Sequence, residues 1–227
     1  MNVLITGANR GIGLGYVRHY LAGGHQVWAC YRTDKGGLAA MDDDNLHLVQ
    51  WDVSEDPPDG FADRAGVPAE LHILINNAGV YGGAKGRDQS LEGITSRTML
   101  DVFNVNCVSA LRVVKQLWQR VAKGGGVIAN MSSKMGSSGD NTSGGVYAYR
   151  ASKAALVIVS RSMAVDLKEH GIHVITLHPG WVRTDMTDNT GLVGVDESVT
   201  GLTRVIANAR EYEPGAFVAF DGKIIPY

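Results

Sequence analysis

The sequence predicts a single-domain, doubly wound parallel α/β sheet of about seven strands with helices on both faces. Two observations carry that prediction. Seven β-rich runs alternate with helical stretches along 227 residues with no shift in composition, and the runs are near-continuously apolar, as strands covered on both sides are. The first run also opens directly into Thr6-Gly7-Ala8-Asn9-Arg10-Gly11-Ile12-Gly13, a glycine-spaced turn leading into a helix.

In order, the strands are read at Val3–Ile5, Gln26–Tyr31, Leu46–Gln50, Leu71–Asn76, Val127–Met131, His173–His178 and Ala216–Phe220, each bounded by Gly, Asn, Asp or Pro. Helices fall between them at Ile12–Ala22, Ser96–Ala122, Val146–His170 and Asp196–Arg210. The long ones carry apolar residues at helical spacing, as Leu156, Val159, Met163 and Leu167 do. Thr33–Asp44 is too rich in Gly and Asp to be assigned a helix, and Pro57-Pro58 interrupts Ser54–Pro68. With no repeat or low-complexity linker, residues 1–227 are expected to form one domain, burying about 70–75% of the unfolded surface.

Composition narrows the function. Charged residues make up 19% and apolar ones 44%, a soluble globular balance. Net charge is −2 with Lys and Arg dispersed, so no footprint for nucleic acid or anionic lipid is expected. The first strand leaves no room for a signal peptide and no apolar run approaches spanning length, so no membrane association is expected. Cys30 and Cys107 form no metal or redox spacing, and His170 and His173 are separated by Gly171 at a helix end. No metal site is expected, and cytoplasm is the expected compartment.

The glycine turn suits a dinucleotide pyrophosphate. A phosphate approaches backbone only where side chains do not block it, and it gains from a helix N-terminus directed at it. Gly7, Gly11 and Gly13 supply both, between a strand and a helix. The tip of the second strand, Ala29-Cys30-Tyr31-Arg32, should select the cofactor. NAD sites place a carboxylate there for the ribose 2′-OH, whereas NADP sites need a cation for the 2′-phosphate. Arg32 and Arg10 can supply that cation, which favours NADPH/NADP+ over NADH. The alternative is that Arg32 is a solvated charge and Asp34 does the selecting. Asp52 and Val53, ending the third strand, suit the adenine edge, and Asn77, Ala78 and Gly79 follow the fourth, where they would line the cofactor.

A second signal lies downstream. Tyr-x-x-x-Lys is weak alone, since random placement of the Tyr and Lys residues gives about 0.3 matches. It occurs at Tyr31/Lys35, Tyr81/Lys85 and Tyr149/Lys153. Only the third lies in a helical run, where that spacing puts both side chains on one face. It also follows a strand ending in Ser132-Ser133 and precedes one ending in His178-Pro179-Gly180. A carbonyl accepting hydride develops alkoxide charge and needs a proton donor. Tyr149 would be that donor, with the Lys153 ammonium expected to lower its pKa. One of Ser132 and Ser133 would hold the carbonyl oxygen and the other cap the strand, and Asn106 would be either a site residue or a polar helix residue.

Together these motifs resemble the classical short-chain dehydrogenase/reductase family, with its Rossmann-type fold, over essentially the whole chain and in the family's order. The resemblance implies that Asn106 supports a relay water, that Ser133 orients the carbonyl, that Tyr149 is the acid/base and that Lys153 modulates it and binds ribose. It implies that Pro179, Gly180, Val182 and Thr184 line the nicotinamide and that Asn9 and Ile12 belong to the phosphate turn. Ser132–Gly136, Asp140–Gly145 and Asp221-Gly222 look like the C-factor/sniffer branch of carbonyl reductases. Tyr227 stands where that branch is expected to have Trp, and the segment after Thr184 is short, with Gly191 and Gly194, which implies an open pocket. The implied activity is NADPH-dependent reduction of a small-molecule aldehyde or ketone by a homodimer or dimer of dimers. An NAD-dependent alcohol dehydrogenase is the alternative within enzymes, and a C-factor-like signalling protein that retains the cofactor fold is the alternative outside them. The substrate itself is not encoded legibly, because Tyr81–Gly86, Lys134–Tyr147 and Asp185–Gly194 are Gly/Ser/Asn-rich loops.

Overall fold

The computed structural model describes residues 1–83 and 89–227. Seven parallel strands, β1 (Asn2–Ile5), β2 (Gln26–Tyr31), β3 (Leu46–Gln50), β4 (Ile73–Asn76), β5 (Val127–Met131), β6 (His173–His178) and β7 (Phe217–Ala219), form one sheet in the order β3-β2-β1-β4-β5-β6-β7. The order reverses between β1 and β4, which opens a crevice at the strand ends.

Side chains on alternate strand positions enter two separate cores. Val3 and Ile5 pack with Tyr16, Val17, Leu202 and Val205, from α1 (Gly11–Ala22) and from the long helix after β6. Leu4 packs on the other face with Val113, Leu117 and Met163. Burial on both faces is why the strands read as unbroken apolar runs rather than alternating ones. Among the described residues, no helix is long and apolar enough to cross a membrane.

Two stretches without an assigned helix contain short ones, a 3₁₀ turn at Gly36–Ala40 and α2 (Phe61–Arg64). The helix expected over Ser96–Ala122 is divided. α3 (Ser96–Phe103) runs into a π-helical segment, Asn104–Val108, before α4 (Ser109–Lys123). The fourth strand starts at Ile73 rather than Leu71, because the Leu71 N–H is drawn to the Arg120 carbonyl at the end of α4 (2.9 Å). α5 (Tyr147–Asp166) and α6 (Val195–Ala207) are shorter than expected, each followed by a 3₁₀ turn, at Lys168–His170 and Ala209–Glu211. Gly171, at φ +74°, ends the first of these turns.

Candidate active site

The cleft lies at the C-terminal ends of β1 and β4. Thr6 ties those ends together: its N–H donates to the Ile75 carbonyl (3.0 Å), and its Oγ1 accepts from the N–H groups of Asn77 (3.0 Å) and Ala78 (3.1 Å). A Cβ on Gly7 (φ +62°) would stand 2.8 Å from Ala78 Cα, and one on Gly13 only 2.1 Å from the Gly7 carbonyl oxygen. The missing side chains let the turn lie against Asn77, whose Nδ2 donates to the carbonyls of Thr6 (3.0 Å) and Gly7 (3.1 Å). No side chain caps α1, and its first turn holds no acid. Its first N–H groups lack partners within the helix, so with the helix dipole they form a cradle for an anion.

Gly7, Asn9, Arg10, Gly11, Ile12 and Gly13 line the cleft, with Arg32, Asp52 and Val53 from the strand ends and Asn77, Ala78 and Gly79 after β4. Tyr149, Lys153, Pro179 and Thr184 also line it. Asn106, Ser133, Gly180 and Val182 do not. Arg10 pairs with Asp185 across the cleft at 3.3 Å, with both side chains mostly exposed. Such a pair contributes little and leaves Arg10 able to change partners. The Asp34 carboxylate accepts from the Gly36 N–H (2.9 Å), closing its own turn, and it too lines the cleft. Burial pushes the Asp52 carboxyl up, but the Ser54 hydroxyl (2.6 Å) and N–H (3.0 Å), with Arg32 and Arg112 nearby, hold it below the usual range.

At the other end, α5 delivers Tyr149 and Lys153 one turn apart, both buried. Lys153 Nζ donates to the Met131 carbonyl (2.8 Å) and lies 5.7 Å from the centre of the Tyr149 ring. It faces Gly79, where a Cβ would come within 3.5 Å of it. The adjacent serines divide their tasks. Ser132 Oγ donates to the Lys153 carbonyl (2.8 Å) and fastens β5 to α5, whereas Ser133, whose Oγ accepts from the Met135 N–H (3.2 Å), stands beside the Tyr149 phenol and draws its pKa down. Of the other two Tyr/Lys pairs, Tyr31 ends β2 with Lys35 in the following loop, and Lys85 lies outside the described residues.

Asn106 sits in the π-helical segment, a distortion that recurs at functional sites. Its Oδ1 accepts from the Val80 N–H (2.8 Å), and its Nδ2 donates to the Val80 carbonyl (2.8 Å) and to Ser152 Oγ (3.0 Å). Its side chain therefore pins the loop after β4 to α5.

The expected lowering of the Tyr149 pKa by Lys153 is not what this arrangement produces. Burial raises the phenol to about 12, against the pull of the Ser133 hydrogen bond, and Tyr81 adds to the rise. The same burial lowers Lys153 to about 8. Lys153 Nζ is turned to the Met131 carbonyl, and dehydration is the largest influence on each of the two groups.

Beyond β6, Ser198 Oγ donates to the Pro179 carbonyl (2.7 Å), and Gly180 adopts φ +85°. Val182 is buried and bridges Val193, and Thr184 approaches Gly11. Arg183 Nη1 donates to the carbonyls of Gly191 (3.3 Å) and Leu192 (2.9 Å). These bonds tie the short Asp185–Gly194 segment back to its own base. Spacing alone misses several supports: Gln89, which bonds Tyr149; Arg112, whose Nη1 donates to the Val53 carbonyl (2.7 Å); and Asn104, whose Nδ2 donates to the Ser54 carbonyl (3.0 Å). Each acts across the fold, where no local pattern signals it.

Known proteins are similar to this chain in sequence and in fold. The short chain dehydrogenase family model matches residues 1–192. C-signal of Myxococcus xanthus is 38% identical over 158 residues, covering 69% of this chain and 93% of its own. The NADPH-bound carbonyl reductase from chicken fatty liver superposes with a TM-score of 0.87 at 34% identity, over 100% of this chain and 98% of its own. Carbonyl reductase Sniffer of D. melanogaster superposes with a TM-score of 0.89 at 31% identity, over 100% of this chain and 99% of its own. With the family model matched over most of its length and these solved structures superposing on its whole sheet, the chain belongs to the short chain dehydrogenase family.

Proposed function

We propose that the chain is an NADPH-dependent oxidoreductase that reduces an aldehyde or ketone to an alcohol, with residues 1–227 acting as one cofactor-binding domain. The observation that carries this reading is the meeting of Tyr149 and Lys153 on one helix face at one end of a glycine-lined cleft, with Ser132 in its lining and Ser133 beside the phenol. The space left by Gly7 and Gly13 and the uncapped start of α1 fit a pyrophosphate. Arg32, with Arg10 released from Asp185, would hold a 2′-phosphate. Asp52 and Val53 would border the adenine, Asn77–Gly79 the middle of the cofactor, and Lys153 a ribose. Pro179, Gly180, Val182 and Thr184 would border the nicotinamide. When bound, NADPH supplies hydride. The NADPH in the chicken liver carbonyl reductase supports this cofactor.

The chain's own residues then manage the proton. Ser133 orients the carbonyl oxygen and Tyr149 gives its phenolic proton as alkoxide charge develops. An alkoxide is more basic than a phenolate, so the transfer is downhill even from a phenol raised to about 12. Lys153 favours the phenolate left behind, and Asn106 keeps the Val80 backbone and α5 in register. This constellation favours turnover over a purely signalling role of the kind that the name C-signal carries. A panel of aldehydes, ketones and quinones assayed by loss of NADPH absorbance tests the reading. We expect carbonyl-dependent loss, and no response across all three classes would contradict it.

A pH dependence follows. Reduction uses Tyr149 as neutral phenol and Lys153 as ammonium, and both are in that form at low pH. As pH rises, Lys153 gives up its proton first, at about 8. Reductive kcat/KM should hold through neutral pH and fall above about 8, whereas alcohol oxidation, which needs the phenolate, should climb with pH. Reduction that increases with pH across this range would contradict the assignment.

Assembly belongs to the same proposal. Leu100 and Phe103 on α3, Leu111 on α4, and Ile158 and Val165 on α5 are exposed apolar side chains on the helices that pair between copies in the family. A second copy of this chain covers them, in a homodimer or dimer of dimers. Sedimentation at micromolar concentration should show at least a dimer, and monomer alone would refute this. The cytoplasmic placement is supported by Cys30 and Cys107, two buried free thiols.

A further inference from the structure

The helix that carries Tyr149 begins in an unfavourable way. Gly144, Gly145 and Val146 have φ of +62°, +61° and +52°, three successive left-handed residues. The last is β-branched, and such residues rarely adopt that conformation. Val146 holds the N-cap position, where Ser, Thr, Asp or Asn would normally accept from an N–H of the first turn, and no local side chain does so. The acceptor comes from far along the chain. Gln89, only 2% exposed, directs its Oε1 at the Tyr149 N–H (2.8 Å), the third N–H of α5 and one that a cap ordinarily bonds.

The rest of Gln89 is equally committed. Its backbone carbonyl accepts from the Tyr147 N–H (3.4 Å), and its Nε2 donates to the Tyr81 carbonyl (2.6 Å). The Tyr81 ring stacks on the Tyr149 ring, with centres 5.1 Å apart and planes 29° apart. One side chain therefore holds the backbones of both rings. The amide orientation is fixed by its partners, because the flipped form would face a donor to an N–H and an acceptor to a carbonyl.

We infer that Gln89 is a positioning residue for the proton donor, a remote cap that seats the first turn of α5 and with it the Tyr149 phenol. The inference rests on the reading of Tyr149 as the acid. Displacement of a reacting group by about 1 Å can cost about 10²-fold in rate, so loss of the cap should reach kcat before it reaches cofactor binding.

Two variants test it, each assayed for reductive kcat, for NADPH affinity and for amide exchange in the first turn of α5. Gln89→Met keeps the length and removes both side-chain hydrogen bonds. Gln89→Glu, neutral when buried, can still accept from the Tyr149 N–H and donate to the Tyr81 carbonyl. Q89M should lower kcat about 10- to 100-fold, leave NADPH affinity within about threefold and speed exchange around Tyr149. Q89E should bring kcat back to within about fivefold of wild type and restore protection. A wild-type kcat in Q89M, or a loss of NADPH affinity in step with kcat, overturns the inference. If Q89M does not fold, Q89E decides alone: retained protection and kcat support the cap, and lost kcat with retained protection overturns it. Tyr149→Phe run alongside separates the two claims. A fully active Tyr149→Phe sinks the acid itself, whereas an inactive Tyr149→Phe beside an unaffected Q89M sinks only the role of Gln89.

Discussion

Tyr149→Phe should lower carbonyl reduction by at least about 10²–10⁴-fold, the range for loss of a general acid. The substitution removes one oxygen and keeps the ring, so the stack on Tyr81 and the packing of α5 remain. NADPH affinity should stay within a few-fold, because the groups proposed to hold the phosphates lie at the other end of the cleft. Steady-state kinetics and a fluorescence titration of NADPH separate the two effects. Parallel Phe variants at Tyr31 and Tyr81 control for the other Tyr-x-x-x-Lys pairs. Tyr31→Phe leaves the chemistry intact, and Tyr81→Phe should alter it far less than Tyr149→Phe. Activity of Tyr149→Phe within a few-fold of wild type would remove Tyr149 from the mechanism.

The second large effect concerns the cofactor's 2′-phosphate. Arg32→Ala removes one charge-assisted phosphate contact and should cost NADPH binding about 1.5–3 kcal/mol, roughly 10- to 150-fold in affinity. NADH should change little, since it lacks that phosphate. Adding Tyr31→Asp places a carboxylate where the ribose 2′-OH would meet it, and the double variant should prefer NADH. Asp34 also lines this end of the cleft, with one carboxylate oxygen accepting from the Gly36 N–H, so Asp34→Ala run alongside distinguishes its part in selection from that of Arg32. An unchanged NADPH Michaelis constant in Arg32→Ala would leave Arg32 as a solvated loop charge.

Much of the fold was legible because its signals are local. Unbroken apolar runs bounded by turn residues gave all seven strands, with shifts of one or two residues at their ends. Tyr149 and Lys153 were legible as a pair because one helix carries both. What escaped depends on distant contacts. The π-helical segment at Asn104–Val108 carries no Gly or Pro to announce it. Arg10 meets Asp185 across 175 positions, and Gln89 meets Tyr149 across 60. The pKa expectation failed for the same reason. Spacing puts an ammonium near a phenol, but only the packed structure reveals the Met131 carbonyl that engages it and the burial that outweighs it.

The central claim, hydride delivery to a carbonyl with Tyr149 as the acid, is tested most directly by isotopic transfer. NADPH carrying deuterium at the reactive nicotinamide carbon would be incubated with a responding aldehyde or ketone, and the alcohol analysed by mass spectrometry and NMR. The account predicts one deuterium on the carbinol carbon from the wild-type protein and almost no labelled alcohol from Tyr149→Phe in the same time. An alcohol formed without the label, or label transferred equally well by Tyr149→Phe, would contradict it.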